Sequence, residues 1–309
     1  MSTSGDAGMP VASGEVVGAG ASDAPQFVDL QVHTTASDGA LAPALVVEAA
    51  VAASLYAIAI TDHDTVDGLA EATEAGARLG VRIVPGVELS THFGDDELHL
   101  LGLHLSDTET MRSALARFQL DRVERAERIV TTLNRLSIPV TIDAVLREAG
   151  GGAVGRPHVA RAMLAGGWVR DFREAFDRYL GWGKPAYVDK PRFEVADGID
   201  LVHQAGGIAV WAHPGEDASA ARIATLAAVG LDSVEVLHPS HPPSLVQRLF
   251  ERVEAAGLVP SGGSDWHGTF DGPRRLGGQM VPKVWLDWQD ARVDAQAVAR
   301  VNARASTAE

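Results

Sequence analysis

The sequence of 309 residues contains no cysteine. Disulfide bonds, thiolate zinc sites and cysteine nucleophiles are therefore excluded. The chain does contain 11 histidines and 41 aspartates and glutamates. Imidazole and carboxylate groups are consequently the only strong metal ligands that it offers.

Positive charge is also scarce, because 26 lysines and arginines face 41 acidic residues and the net charge is −15. Such a chain lacks the positive field that holds long duplex nucleic acid through the release of counterions. A small anionic substrate or a single strand end fits the charge better.

Long apolar runs are absent, since no segment approaches the roughly 20 residues that span a bilayer. We therefore expect no contact with a membrane. Residues 1–25 are rich in glycine, alanine and serine and contain no lysine, arginine or continuous apolar stretch, which argues against a secretory signal. We expect them to form a disordered leader of a cytoplasmic protein. The sequence leaves the oligomeric state open.

Seven short segments rich in valine, isoleucine or leucine have the continuous apolar character of buried parallel strands. They lie at 27–32, 56–60, 82–86, 97–103, 207–212, 232–236 and 257–262. Helical patterns lie between them, at 42–52, 67–79, 194–205, 218–229 and 243–256. This alternation predicts an α/β protein built as a parallel βα barrel.

The chain is longer than the roughly 200–250 residues of one barrel, which leaves room for an insertion. Strand patterns stop between the fourth and fifth segments and helical patterns take over. We expect an inserted helical cap at 108–190, the barrel at 26–107 and 191–285, and a C-terminal helix and tail at 286–309. A cap over the strand ends would shield a reaction centre and add substrate contacts.

Polar residues follow the apolar segments where the predicted strands end. Gln31 and His33 alternate along the first strand, so both side chains face the same side. The segment Thr61-Asp62-His63-Asp64 follows the second strand and places three titratable groups in a row, which is costly if they are buried without partners. Asp38 lies in a turn before a helix, where it either reaches the same pocket or caps the helix.

Four further segments continue this series along the chain. They are Gly86-Val87-Glu88-Leu89-Ser90, Glu97-Leu98-His99-Leu100-Leu101, Trp211-Ala212-His213-Pro214-Gly215 and Gly263-Ser264-Asp265-Trp266-His267. A buried histidine needs a polar partner, and apolar strands do not supply one for every member of the set. The pattern therefore indicates a shared metal site.

Taken in order, these motifs resemble those of the PHP (polymerase and histidinol phosphatase) superfamily of metal-dependent phosphoesterases. The resemblance covers residues 27 to 280. It implies a distorted (β/α)7 TIM-like barrel that binds two or three divalent metal ions. Manganese is the ion that we expect, with iron, zinc and magnesium as the other candidates.

The resemblance also implies which residues bind each ion. Gln31, His33, Glu88 and Asp265 would surround the first ion, Glu88, His99 and His213 the second, and Asp38, His63 and His267 the third. Gln31 departs from the family pattern, which has histidine there. Because an amide oxygen is a harder and weaker ligand than imidazole, the first site should lose affinity or favour manganese.

The predicted cap contains a signal for phosphate. Gly155-Arg156-Pro157-His158 opens a helix, whose N-terminus favours anions, and Lys184 follows in Gly183-Lys184-Pro185-Ala186-Tyr187-Val188. These motifs resemble the subgroup that removes phosphate from nucleoside 3′,5′-bisphosphates or nucleotides from 5′ ends. The resemblance implies substrate contacts from Arg156, His158 and Lys184. The alternative is that these cations are solvated surface residues.

The barrel rim offers further candidates for substrate contacts. His238 and His241 follow the sixth predicted strand, and Arg274 follows the last ligand segment. The substrate would be a small phosphorylated nucleotide or the 5′ end of a short oligonucleotide.

The resulting hypothesis is that a hydroxide bridging two metal ions hydrolyses phosphate esters of nucleotides. Arg156 would stabilise the developing charge, and Asp62, Asp64 or His267 would protonate the leaving oxygen. The sequence has no Gly-x-Ser-x-Gly elbow of a serine hydrolase and no Gly-x-Gly-x-x-Gly phosphate loop after strand one. The alternatives are hydrolysis of histidinol phosphate or another sugar phosphate, and a non-catalytic module that binds metal or nucleotide.

Overall fold

The computed structural model describes residues 26–190, 192–269 and 272–306. In these ranges eight strands form one sheet in the order β7-β6-β5-β4-β3-β2-β1-β8. The strands are β1 (Phe27–Val32), β2 (Ala57–Ile60), β3 (Arg82–Phe93), β4 (Asp96–Leu103), β5 (Ile208–Trp211), β6 (Ser233–Leu237), β7 (Val259–Gly262) and β8 (Val281–Pro282). The backbone amide of His33 donates to the carbonyl of Trp266 (2.9 Å), so the chain after β7 meets the end of β1 and nearly closes a barrel.

The predicted TIM-like barrel is confirmed, and two details differ from the all-parallel expectation. β4 runs antiparallel to both β3 and β5. A parallel crossover needs a dozen or more residues, whereas β3 and β4 are joined only by Gly94-Asp95, with Gly94 at a positive φ of 65°. The second difference is the two-residue strand β8, which pairs with β1 and is too short to leave an apolar pattern.

Helices surround the sheet and form the insertion. They are α1 (Pro43–Ala52), α2 (Leu69–Leu79), α3 (Thr108–Arg135), α4 (Ile142–Ala149), α5 (Arg156–Ala165), α6 (Phe172–Ala175), α7 (Val195–Gln204), α8 (Ala220–Ala228), α9 (Pro243–Ala255) and α10 (Lys283–Ser306). A π-helical turn, Phe176–Leu180, continues α6, and a 3₁₀ turn, Gly215–Asp217, precedes α8. No helix of the described ranges is long and apolar enough to cross a membrane.

The insertion has a hydrophobic core separate from that of the barrel. Helix α3 contributes to both, because Met111 and Leu115 near its start pack in the barrel core while Ile129 and Leu133 near its end pack in the other core. Asp107 caps α3 by accepting a hydrogen bond from the amide of Thr110 (3.0 Å). These contacts support our proposal to treat residues 108–190 as a cap. The predicted leader at 1–25 and the end of the predicted tail at 307–309 lie outside the described residues.

Candidate functional site

Glu88, near the middle of β3, lies at the centre of the polar residues in the barrel mouth and is buried. Its Oε1 is 2.6 Å from Nδ1 of His99 and 3.2 Å from Nε2 of His213. Its Oε2 is 3.1 Å from Nε2 of His33 and 3.5 Å from Nδ1 of His63. One carboxylate is therefore shared by imidazoles from four different parts of the barrel.

Two more carboxylates complete this group, which we call the barrel-mouth cluster. Oδ1 of Asp265 is 3.2 Å from Nε2 of His33. Oδ1 of Asp38 is 3.3 Å from Nε2 of His267, and the rings of His267 and His33 stack with their centroids 4.2 Å apart. The structure thus brings together the histidine and carboxylate ligands predicted from the sequence, Asp38 included.

The ligand atoms form three overlapping groups, and in each group all the atoms lie within 4.8 Å of one another. The groups are His33, Asp38, His63 and His267; His63, Glu88 and His99; and His33, Glu88 and Asp265. Several of these atoms are buried and, although close to opposite charges, have no hydrogen bond: both ring nitrogens of His33, Oδ1 of Asp38 and Nδ1 of His63. Converging imidazoles and carboxylates of this kind fit divalent manganese, iron or zinc.

Gln31 lies beside this cluster and is fully buried. Its Nε2 donates to Oε2 of Glu88 (3.3 Å), whereas its Oε1 is buried without a hydrogen-bond partner. The amide group of Gln31 therefore orients Glu88. Its unpaired oxygen is suited to act as a neutral metal ligand.

Three residues that follow barrel strands have an uncommon backbone conformation. Asp64, His213 and Asp265 have positive φ angles of 50°, 33° and 51°, which are rare for residues with side chains. Such conformations cluster at functional sites because the surrounding structure must hold them. At Gly263 a Cβ atom would lie 2.6 Å from the Cβ of Gln31, so glycine is needed for the segment carrying Asp265 to approach β1.

The pKa values in the cluster follow from the competition between burial and nearby charge. Burial opposes ionisation of Glu88, but His63 and His99 outweigh it and hold the pKa of Glu88 well below its usual range. Burial also opposes protonation of His99, yet Glu88 raises the pKa of His99 to about 9. For His63 burial dominates and lowers the pKa to about 3, so this imidazole has a free lone pair at pH 7.

Two predicted proton donors, Asp62 and Asp64, have structural partners. Asp62 is buried and accepts hydrogen bonds from the amide of Thr34 (2.7 Å) and the hydroxyls of Thr34 (2.8 Å) and Ser37 (2.7 Å). Asp64 accepts a hydrogen bond from Nε of Arg122 on α3 (2.8 Å). Asp62 therefore fixes the loop that leads to Asp38, and Asp64 joins the barrel to the cap.

The cap contributes a cationic cavity of about 140 Å³ that opens against the cluster, and we call it the cap cavity. Its wall on the barrel side includes Asp38, His63 and His99, and its wall on the cap side includes Arg122, Arg125, Arg156 and Lys190. Of these cations only Arg156 was predicted to take part. Arg122 and Arg125 lie on a helix with several other arginines, so their spacing alone does not distinguish them from surface residues.

The other predicted substrate contacts are placed differently. His158 is buried, and its Nδ1 accepts from the amide of Gly155 (3.0 Å). Lys184 is exposed and is not part of the cavity wall. His241 uses both ring nitrogens, on the carbonyl of Val236 (3.0 Å) and the amide of Gly215 (3.1 Å). Their roles as substrate contacts stay predictions.

Arg274 is half-exposed at the barrel mouth and contacts the carboxylate of Asp265. A second cavity, of about 280 Å³, lies there and is lined by Arg274 together with Glu88, His213 and His238. His238, which was predicted together with His241, is buried, and its Nε2 has no hydrogen-bond partner. The position of a histidine after a strand does not show whether its ring nitrogens already form hydrogen bonds within the protein.

Comparison with known proteins places this chain among relatives of similar length. A family model described as PHP domain matches residues 29–138. The chain is 35% identical over 257 residues to the 3′,5′-nucleoside bisphosphate phosphatase of Chromobacterium violaceum, covering 81% of this chain and 90% of that protein. It is 36% identical over 247 residues to the 5′-3′ exoribonuclease Rnm of Escherichia coli K12, covering 77% and 84% of the two chains.

A solved structure extends the similarity to the fold. It is that of a protein from Bifidobacterium adolescentis described as a metal-dependent phosphoesterase, and it matches with a TM-score of 0.80 at 32% identity. The match covers 86% of this chain and 96% of that chain, so it includes both the barrel and the inserted helices.

Proposed function

The chain belongs to the PHP family of metal-dependent phosphoesterases, and from that premise we propose that it hydrolyses phosphate esters of nucleotides. The proposed substrates are nucleoside 3′,5′-bisphosphates and oligonucleotides shortened from the 5′ end, the two classes named for its relatives. The observation that carries the proposal is that the barrel-mouth cluster and the cationic cap cavity share Asp38, His63 and His99 as a common wall.

We assign the binding of two or three divalent ions to the barrel-mouth cluster. Glu88 would be the shared ligand and Gln31 a neutral oxygen ligand. The other ligands would be His33, Asp265, His99, His213, Asp38, His63 and His267. Bound divalent ions supply positive charge at the phosphoryl group and make water a stronger acid. Manganese is the proposed ion, because Gln31 replaces an imidazole by a harder oxygen ligand.

The remaining steps are assigned to protein side chains. Arg156 is proposed to hold a substrate phosphate, since a guanidinium can donate two parallel hydrogen bonds to it. All three predicted proton donors have partners in the structure: Nδ1 of His267 donates to the carbonyl of Asp265 (2.8 Å), as Asp62 and Asp64 accept from theirs, so none of the three is assigned as the donor. Asp62 and Asp64 are proposed to act by positioning, because each is occupied by strong partners. A cytoplasmic location is part of the proposal.

The test uses purified protein that is stripped of metal by a chelator and reloaded with manganese. We expect phosphate release from a nucleoside 3′,5′-bisphosphate, or mononucleotide release from the 5′ end of a short oligonucleotide, only after reloading. Protein that binds metal and leaves both substrates intact would contradict the proposal.

The same experiment separates the alternatives. A faster rate on histidinol phosphate than on the bisphosphate would favour sugar-phosphate hydrolysis. Nucleotide binding without bound metal or turnover would favour a non-catalytic module.

A further inference from the structure

Glu97 is a carboxylate of β4 that lies just outside the barrel-mouth cluster. The antiparallel register of β3 and β4 pairs His92 with Glu97 and Ser90 with His99. Residues paired across two strands share a face of the sheet, as do residues two positions apart along one strand. Glu97 and His99 therefore lie on the same face of the β3-β4 hairpin, which is also the face of Glu88.

The two ring nitrogens of His99 face different carboxylates. Nδ1 is 2.6 Å from Oε1 of Glu88, inside the cluster, and Nε2 is 3.3 Å from Oε1 of Glu97, outside it. Within the ranges that the structure describes, the carboxylates in contact with the rings of the other ligand histidines all belong to the cluster. His99 is thus the ligand whose ring is also held from outside.

Glu97 is itself held in place by a cation. Nζ of Lys190 is 2.5 Å from Oε1 of Glu97 and 2.9 Å from Oγ of Ser90. The side chain of Lys190 is 17% exposed, so this charge-assisted hydrogen bond is largely shielded from solvent. The contact restricts the carboxylate of Glu97 to the position beside His99.

A histidine that binds a metal through one ring nitrogen almost always donates the N–H of the other to a carboxylate, a carbonyl or water. That hydrogen bond fixes the tautomer and the orientation of the ring, and it makes the ligating nitrogen more basic. In His99 the nitrogen on the cluster side is Nδ1. The nitrogen that needs an acceptor is therefore Nε2, and Glu97 is placed there.

We propose that Glu97 is a positioning residue for the metal ligand His99, holding the proton on Nε2 so that Nδ1 is free to bind the ion. This inference rests on the metal binding assigned in the proposed function and adds a residue outside the ligand set. Lys190 restrains Glu97 in this position. The competing explanation is that Glu97 only ties the β3-β4 hairpin to the segment that ends at Lys190.

The test measures manganese binding by calorimetric titration of metal-free protein. In Glu97→Leu one of the bound ions should bind about 10- to 100-fold more weakly, the usual cost of losing the outer partner of a metal ligand. Glu97→Gln should lose less, because its amide oxygen still accepts a hydrogen bond. Asp96→Asn is the matched control, since Asp96 is the preceding residue of β4 and its carboxylate pairs with Arg222 (3.0 Å). It should keep the wild-type Kd values.

Lys190→Met separates positioning from the competing explanation. This variant removes the tie to the hairpin and keeps the carboxylate of Glu97 beside Nε2 of His99. The manganese Kd should therefore change less than in Glu97→Leu. Equal weakening of the same ion in both variants would show that the tie matters rather than the contact with the ring, and would overturn the inference.

A spectroscopic measurement reports on the ring itself. Zinc is diamagnetic, so nitrogen NMR of zinc-loaded protein with labelled histidine resolves which ring nitrogen carries the proton. We expect His99 to have its proton on Nε2 in the wild type, and this proton should exchange faster with water in Glu97→Leu. A proton on Nδ1 in the wild type would contradict the proposal. Thermal unfolding checks that each variant is folded, and Glu97→Gln, which has the same size as the wild-type residue, serves if Glu97→Leu is not.

The outcomes distinguish this inference from the proposed function. Wild-type Kd values in Glu97→Leu would overturn the positioning role and leave metal binding and hydrolysis intact. Metal binding that depends on Glu97, in a wild type that cleaves neither class of nucleotide, would overturn the proposed hydrolysis alone. A wild type that binds no metal would overturn both.

Discussion

The two halves of the site are built from different elements and different side chains. The barrel-mouth cluster uses short histidine and carboxylate side chains on or just after strands, and most of them are buried. The cap cavity uses long cationic side chains from α3, α5 and the segment that ends at Lys190. Coordination of an ion requires positions fixed to fractions of an ångström, which strand ends provide. A phosphate accepts hydrogen bonds from many directions, so cations from different elements of the cap can contribute to one anion site.

This comparison also explains why the overall charge of −15 is compatible with an anionic substrate. The carboxylates at the barrel mouth suit metal ions, and four cations are gathered around the small cap cavity. The sign of the local field, rather than the net charge, determines which ligand a cleft favours. Removing a charge from either half should therefore have different consequences.

The largest effect should follow Glu88→Gln in the barrel mouth. The change removes the negative charge that lies against four imidazoles while keeping the size of the side chain. Loss of a residue that merely orients a metal ligand costs about 10- to 100-fold in metal affinity or activity, so we expect a loss of at least about 100-fold in kcat for a shared ligand. Elemental analysis should also find less metal per chain.

Glu216→Gln provides the control for this change, because Glu216 is an exposed carboxylate paired with Arg248 on the surface. It should keep wild-type metal content and kcat. Full metal content in Glu88→Gln would show that the cluster does not depend on a shared carboxylate.

The sequence predicts the ligands at the strand ends, but it does not predict the direction of every strand. His33, His63, His213 and Asp265 were predictable because an apolar segment followed by polar residues indicates a strand end, and parallel strand ends meet at one face of a barrel. The antiparallel β4 was not predicted, since its apolar pattern is the same in either direction. Only the two-residue turn at Gly94-Asp95 indicates that β4 runs antiparallel to β3.

The cap was less predictable for a physical reason. Arg125 is buried only because α3 packs against the segment around Val188, more than sixty residues away along the chain. Helical spacing shows which residues share a face, but it does not show which partner covers that face. Lys184 was predicted from its motif alone, whereas Lys190 is the lysine that lines the cavity.

A smaller effect is expected where the two halves meet, at the ion pair of Arg122 and Asp64. Both side chains are at least 88% buried, since they are 12% and 9% exposed. Arg122→Met leaves the carboxylate of Asp64 without its cation, and breaking a buried pair in this way costs about 3 kcal/mol. Urea unfolding of metal-free protein at pH 7 should show this loss, whereas Arg117→Met, at an exposed pair with Asp121, should change stability by less than about 0.5 kcal/mol.

The pH dependence of this effect has a defined sign. Burial favours the protonated form of Asp64, but Arg122 and Lys190 outweigh it and lower its pKa below the ordinary value of 3.8. A depressed carboxyl pKa stabilises the folded state above the unfolded pKa, and this contribution is lost as the pH falls through the folded pKa. The stability gap between wild type and Arg122→Met should therefore narrow below about pH 4. A gap that stays constant or widens there would exclude this pair as its source.

The smallest effect is expected for Gln31→His, which restores the imidazole of the family pattern to the barrel mouth. The side chain is fully buried beside Glu88, and the two side chains have similar volume, so the exchange should fit. Imidazole binds these ions more tightly than an amide oxygen, and a gain of about 1.4 kcal/mol corresponds to tenfold tighter binding. We expect a lower manganese Kd for one ion per chain and faster turnover at limiting metal.

Gln31→Leu should weaken the binding of the same ion if the amide oxygen is a ligand. Unchanged binding in both variants would show that the first ion is held without position 31.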